Sequence, residues 1–208
     1  MAILKKLKQA VLQKKAVLLD LDNTLYAYAP CHREALKKTY QVYSRRIEKI
    51  SFAQFQEHYN QARWEIHKRL HGQAASHSRL HYFQIMLEKK GSVSAAADFE
   101  EIYWAAFFKK MKLAAWVFPF LDFCAKEHKK VVIVTNLTTA LQMRKLQSLK
   151  LDKKINFLVT SEEAGVEKPH PKIFRLALKK AGAKPGDAIS VGDDIASDKT
   201  KSLAFFKI

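Results

Sequence analysis

Two aspartates, Asp20 and Asp22, stand two residues apart directly after an apolar run, Val17-Leu18-Leu19. Apolar residues on both faces mark that run as a fully buried strand. A buried strand has no structural use for two acids at its carboxyl end. Carboxylates held that close repel each other unless a cation or proton compensates them. In open α/β sheets, ligands sit outside the carboxyl ends of the strands. The pair therefore reads as one half of a metal-assisted site, with Asp20 as nucleophile, Asp22 as acid/base and Mg²⁺ between them. Turn-forming Asn23 and Thr24 follow at once. Taken alone, the segment also fits a capped strand-to-turn junction with solvated acids.

Three later segments carry similar chemistry. Val131-Val132-Ile133-Val134 is a second buried strand, ending in Thr135 and Asn136. Those two residues can bind an oxyanion or simply cap a helix beginning near Thr138 or Thr139. In Gly165-Val166-Glu167-Lys168-Pro169-His170-Pro171, Lys168 precedes a proline and is biased away from helix. Pro171 suits the first turn of a helix over 172–180. Lys168 is thus fixed in a loop just before a helix. Finally Ala188-Ile189-Ser190-Val191 is a strand that runs into Gly192-Asp193-Asp194, with Asp198 four residues further on. Gly192 permits close approach of the backbone to a bound ion.

Taken in order, these segments resemble the motifs of the haloacid dehalogenase-like (HAD) phosphohydrolases. Asp20-Leu21-Asp22-Asn23-Thr24 is similar to the family's DxDxT signature. Thr135-Asn136 resembles its second motif and Lys168-Pro169-His170-Pro171 its KPxP lysine. Gly192-Asp193-Asp194 with Asp198 resembles its acidic fourth motif. The resemblance covers residues 15–200. It implies that Mg²⁺ is bound by the Asp20 side chain, the Asp22 backbone carbonyl and the Asp193 side chain. It implies that Asp20 attacks phosphorus and that Asp22 protonates the leaving group and later deprotonates water. Thr135 and Lys168 would stabilise the phosphoryl oxygens, with Asn23 and Asn136 as substrate contacts. Asp194 or Asp198 would orient Lys168 or metal-bound water. An acid at position 22 disfavours dehalogenation, because a halide needs no proton. The segment through Tyr26 is similar to small-metabolite phosphatases, pyrimidine nucleotidase-like members among them.

The elements that must position these residues follow from periodicity. From His32 to about Lys112 there is no strand-like run, only helical patterns at 35–50, 52–70, 78–89 and 95–111, broken at Gly72 and Gly91. From Phe118 onward, helices alternate with short buried strands at 131–135, 156–160 and 188–191. That alternation implies a parallel sheet with right-handed crossovers. The expected fold is α/β, a Rossmann-like parallel sheet flanked by helices, with an α-helical cap inserted after the first strand. The expected division is a basic N-terminal helix at 1–14, a core at 15–30 and 113–208, and a cap at 31–112. Tyr26, Tyr28, Arg63, Trp64, His67 and His71 are candidate pocket residues, although a core or surface role is the commoner one for each type. Trp64 and the phenylalanines at helical spacing are expected in the core of the cap. After Asp198 the chain departs from the family's pattern, so the last edge strand is expected to be missing or reduced to 205–208.

Of the 208 residues, 48% are hydrophobic, enough for a sizeable core. Cys31 and Cys124 lack zinc-type spacing and read as reduced thiols, which fits a cytoplasmic protein. No apolar stretch approaches the length of a membrane span. The net charge of +17, from 37 Lys and Arg against 20 Asp and Glu, attracts anionic partners. Its residues are scattered rather than grouped in a nucleic-acid motif, so no specific nucleic acid is expected. Residues 2–13 read as a short basic amphipathic helix that docks its apolar stripe rather than binding a membrane surface. Two function classes follow. One is a Mg²⁺-dependent hydrolase of a small phosphorylated metabolite, a nucleotide or sugar phosphate. The other is a basic binding protein that keeps the HAD fold with weak or no catalysis and holds nucleic acid, a membrane surface or a protein partner. Oligomeric state is not encoded in any recognisable pattern.

Overall fold

The computed structural model describes residues 2–208. In chain order the elements are α1 (Ala2–Val11), β1 (Ala16–Leu19), α2 (Tyr28–Arg46), α3 (Phe52–Arg69), α4 (Arg79–Glu88), α5 (Ala96–Lys110), α6 (Val117–Lys126), β2 (Lys130–Thr135), α7 (Thr139–Ser148), β3 (Phe157–Thr160), α8 (Ser161–Ala164), α9 (Pro171–Ala181), β4 (Ala188–Gly192), α10 (Ile195–Asp198) and β5 (Ala204–Lys207). They fall into two compact units. The sheet unit joins the segment up to Ala27 with Lys112–Ile208, and the helical unit is Tyr28–Met111.

The sheet unit is built on five parallel strands in the order β3-β2-β1-β4-β5. Every residue of β1 is buried, as its unbroken apolar run requires of a strand covered on both faces. The register sets Leu19 beside Ile133 on one side and Val191 on the other. The residues just past these positions therefore emerge at one edge of the sheet: Asp20, Thr135 with Asn136, and Asp193. Helix α9 packs on β1, β2 and β3 with Ile173, Phe174, Ala177 and Leu178, one stripe of its surface. Burying each such side chain stabilises by ~1.5–3 kcal/mol. Pro171 opens α9 and Gly182, at φ 62°, closes it.

The ends of the chain also belong to this unit. Helix α1 buries Leu7 and Val11 and packs on α6. Lys129 fastens the turn after it, donating from Nζ to the carbonyls of Leu12 (2.7 Å) and Lys14 (2.8 Å). At the other end a last edge strand exists in reduced form, over Ala204–Lys207 rather than 205–208, and pairs with β4.

The helical unit consists of α2–α5 with two short 3₁₀ turns. Its core is aromatic, with Phe55, Tyr59, Phe83, Phe99, Tyr103 and Phe107 all within about 1% exposure. Helix α2 begins seven residues before the helix expected from the sequence, at Tyr28 instead of 35. Pro30 falls in its first turn, where a missing N–H costs nothing, so the helix passes through it. Ser51 and Gln54 cap α3 reciprocally. Trp64 is a correction to the expected core, because 65% of it is exposed. The buried stripe of α3 runs Phe55, Tyr59, Ala62, Ile66. Position 64 lies two residues from both 62 and 66, on the opposite face. There the Lys68 ammonium lies over the Trp64 ring, 5.1 Å from its centroid.

Candidate active site

The edge of the sheet gathers a buried charge cluster. Asp20, one residue past β1, accepts a hydrogen bond from Lys168 Nζ at 2.5 Å. The same Nζ donates to Asp198 Oδ1 at 2.6 Å. All three residues are at most 9% exposed. Thr24 donates its hydroxyl to the other Asp20 oxygen at 2.7 Å and lies 3.2 Å from Asp193 Oδ1. Its oxygen in turn accepts the Asp193 backbone N–H at 3.1 Å. One threonine thus ties the end of β1 to the end of β4.

Gly192 makes this approach possible. A Cβ there would lie 2.0 Å from Asp198 Oδ2, so any side chain would evict the carboxylate. Asp198 is otherwise locked in place. Its Oδ2 accepts the Asp194 N–H at 3.2 Å, and its backbone carbonyl accepts the Ser190 hydroxyl at 2.7 Å.

The electrostatics are crowded. Burial raises the Asp20 pKa above the ordinary carboxylate range, with Lys168 pulling it down and Asp198 adding to the rise. Burial likewise raises Asp193, and Asp20 raises it further. Burial works against the Lys168 ammonium, but Asp20 and Asp198 outweigh it and its pKa is raised. Asp20, Asp193 and Asp198 each offer a carboxylate oxygen within 4.8 Å of the others. Three acids facing one lysine leave an excess of negative charge. An all-oxygen set of this kind suits a hard divalent cation such as Mg²⁺ rather than a thiophilic metal.

Asp22 stands in a different environment. Lys145 Nζ donates to both its oxygens, at 2.8 and 2.7 Å, and the Tyr26 hydroxyl donates to Oδ1. Lys145 is wholly buried, while 28% of the Asp22 side chain is exposed. The carboxylate is therefore not among the three grouped acids, and only its backbone carbonyl is left for the metal role that the motif resemblance implies.

The other residues singled out in the sequence distribute as follows. Thr135 is buried, and its hydroxyl oxygen accepts from Gln142 Nε2 at 2.7 Å. Asn136 Oδ1 accepts the Lys168 backbone N–H at 2.8 Å, which fixes the lysine loop against the end of β2. Asn23 is exposed, with a left-handed backbone at φ 65° that Asn tolerates well. Asp194 does not touch Lys168. It caps α10, accepting from Ala196 N–H and the Ser197 hydroxyl, and those bonds lower its pKa. Of the two acids offered as partners for Lys168, the geometry selects Asp198.

Sequence reading missed Lys145 and Gln142. Their signal was present. The buried face of α7 is Gln142, Lys145 and Leu146, so two polar residues sit on the inward stripe. A long polar side chain in such a place must find a partner.

The comparisons agree with this geometry. The haloacid dehalogenase-like hydrolase family model matches residues 14–199. A ribulose-1,5-bisphosphate 5-phosphatase of Halopiger xanaduensis is 36% identical over 192 residues, covering 88% of this chain and 78% of that protein. A glyceraldehyde 3-phosphate phosphatase of Methanopyrus kandleri is 30% identical over 190 residues, covering 88% and 77%. Among solved structures, a HAD phosphatase from Thermococcus onnurineus matches at a TM-score of 0.72 and 24% identity, covering 93% of this chain and 86% of that one. That structure speaks for the fold, and the family match and the relatives speak for descent. The chain belongs to the haloacid dehalogenase-like hydrolases.

Proposed function

We propose that this protein is a Mg²⁺-dependent phosphomonoester hydrolase that acts on a small phosphorylated metabolite through an aspartyl-phosphate. The observation that carries the reading is the division of labour between the two aspartates at the end of β1. Asp20 is buried against Lys168 and close to Asp193, whereas Asp22 is held separately by Lys145 and Tyr26. Two carboxylates in unlike surroundings are suited to unlike tasks. The two relatives, named for ribulose bisphosphate and glyceraldehyde 3-phosphate, favour a sugar phosphate over a nucleotide as substrate.

In this reading an Asp20 oxygen forms a bond to phosphorus as the ester P–O bond breaks. Asp22 gives a proton to the departing oxygen. Water then attacks the phosphorus, Asp22 takes its proton, and the bond from phosphorus to Asp20 breaks to release phosphate. Lys168 holds Asp20 in line and faces the charge of the phosphoryl oxygens. Asp198 keeps Lys168 charged and aimed. Asn136 positions the Lys168 backbone, and in this reading it contacts the substrate together with Thr135 and Asn23. Asp20, Asp193 and the Asp22 carbonyl would hold Mg²⁺, which supplies neutralisation of phosphate charge when bound. Lys145 is a positioning residue that fixes the direction of Asp22. The helical unit takes the place of the substrate-selecting cap over 31–112.

A panel of phosphate esters assayed with and without Mg²⁺ tests the reading. Metal-dependent release of phosphate is expected, with sugar phosphates preferred over nucleotides. Absence of phosphate release from every ester, with Mg²⁺ saturating, would count against it. The reading of a basic binding protein rests on net charge and on the departure from the family pattern after Asp198. No helix among the described residues is long and apolar enough to cross a membrane. A cytoplasmic location fits the enzyme reading, which needs a compartment that supplies Mg²⁺ and phosphorylated metabolites.

A further inference from the structure

The helical unit buries a cation that has no acid beside it. Arg79, at the start of α4, is 7% exposed. Its guanidinium lies over the rings of Tyr82 (5.5 Å), Tyr103 (5.5 Å) and Trp104 (5.3 Å). One terminal nitrogen donates to the His77 carbonyl at 2.5 Å and the other to the Tyr28 hydroxyl. Nε is buried and makes no hydrogen bond. Among the described residues no carboxylate forms an ion pair with Arg79.

The surroundings offer donors rather than acids. The Tyr59 hydroxyl is buried and has no hydrogen-bond partner. The His32 ring lies 5.7 Å from the Tyr59 ring, and its Nδ1 is 2.6 Å from the Tyr103 hydroxyl. Burial, then Arg79 and Arg63, push the His32 pKa down to about 4, so the imidazole is neutral near pH 7. A neutral imidazole carries one N–H, and in the tautomer whose Nδ1 accepts from Tyr103 that donor is Nε2.

An arginine stays charged in any protein environment. Burying that charge unpaired is costly, and stacking on aromatic rings returns only ~2 kcal/mol of it. A guanidinium with its Nε edge unused presents the face that grips carboxylate or phosphate with two parallel bonds. We propose that the helical unit holds a binding site for a small oxyanion, a phosphate or carboxylate group, formed by Arg79 with Tyr59 and His32. The site uses residues of the helical unit alone and does not depend on the chemistry assigned to the sheet unit.

The test is a nuclear magnetic resonance titration of the full chain with ¹⁵N-labelled histidine, in EDTA and at constant ionic strength. Inorganic phosphate is added in one arm, acetate in a second and chloride in a third. The ring signal of His32, assigned with His32→Asn, reports the site. A saturable shift with phosphate or acetate, absent with chloride, is expected. The stronger of the two identifies the class of group. Tyr59→Phe, which removes one oxygen from an otherwise intact ring, and Arg79→Lys should each weaken binding by about tenfold or more. Lys168→Ala in the sheet unit should leave it unchanged. No saturable shift, a shift equalled by chloride, affinity unaltered in Tyr59→Phe and Arg79→Lys, or loss in Lys168→Ala would each overturn the proposal.

Discussion

The two units treat buried cations in opposite ways. In the sheet unit, Lys168 lies between Asp20 and Asp198, and Lys145 is clasped by Asp22. There the acids outnumber the lysines, and the missing charge is positive. In the helical unit, Arg79 sits among tyrosines with no carboxylate beside it, and the missing charge is negative. A buried site that is out of balance is unfavourable to the fold by itself. Such imbalance persists where a ligand completes it, and its sign states the ligand's sign. The sheet unit calls for a cation, and the helical unit calls for an anion.

Breaking the nucleophile should have the largest effect. Asp20→Asn is expected to lower kcat by ~10⁴-fold or more, since it removes a covalent route rather than a contact. Circular dichroism should show the fold retained. Chelation comes next. EDTA should reduce activity to background, and Mg²⁺ should restore it, if the excess of acids is what the cation balances.

Lys145→Met sharpens the comparison by removing a lysine whose partner is partly open to water. We expect kcat to fall by about 10–100-fold, within the range of acid–base contributions. A phosphate ester with a good leaving group should lose less than an alkyl phosphate, because it depends less on Asp22 as acid. Equal losses on both would show that Lys145 supports the fold and not the position of Asp22.

Much of the sheet unit was legible because short strands buried on both faces leave brief, mostly apolar runs. Each such run ends where Asp20, Thr135 or Asp193 begins. The lysine loop was legible because two prolines restrict its backbone. Lys145 was not singled out, because one lysine on a helix in so basic a chain reads as solvated until its face is known. Arg79 was missed for the same reason, since its burial depends on aromatic residues of two other helices, α2 and α5. Trp64 was misplaced because size was allowed to outweigh phase. Its position on α3 is opposite the buried stripe, and helical phase decides burial.

The smallest effects concern stability. Asp193 has a raised pKa, so the folded state binds its proton more tightly than the unfolded state does. Its charge therefore opposes folding at neutral pH. Asp193→Asn should raise Tm slightly while abolishing activity, a trade common at active sites. Thermal melts of both proteins check this. His32 has the opposite sign of linkage. Its pKa falls from 6.5 to about 4 on folding, so the unfolded state binds the proton more readily. The stability it contributes is complete above pH 6.5 and is lost as pH falls toward 4. Allowing for its partial exposure, about 1–2 kcal/mol should disappear across that window, and His32→Asn should flatten the slope of Tm against pH.

The most direct test of the central claim is to trap the phosphorylated enzyme. The protein is mixed with Mg²⁺ and a turned-over sugar phosphate, quenched in acid within milliseconds, and its peptides are weighed by mass spectrometry. A phosphoryl group on the peptide containing Asp20, absent in Asp20→Asn, is the predicted result. Burst-phase release of the alcohol with no phosphorylated peptide, or a phosphoryl group that persists in Asp20→Asn, would contradict it.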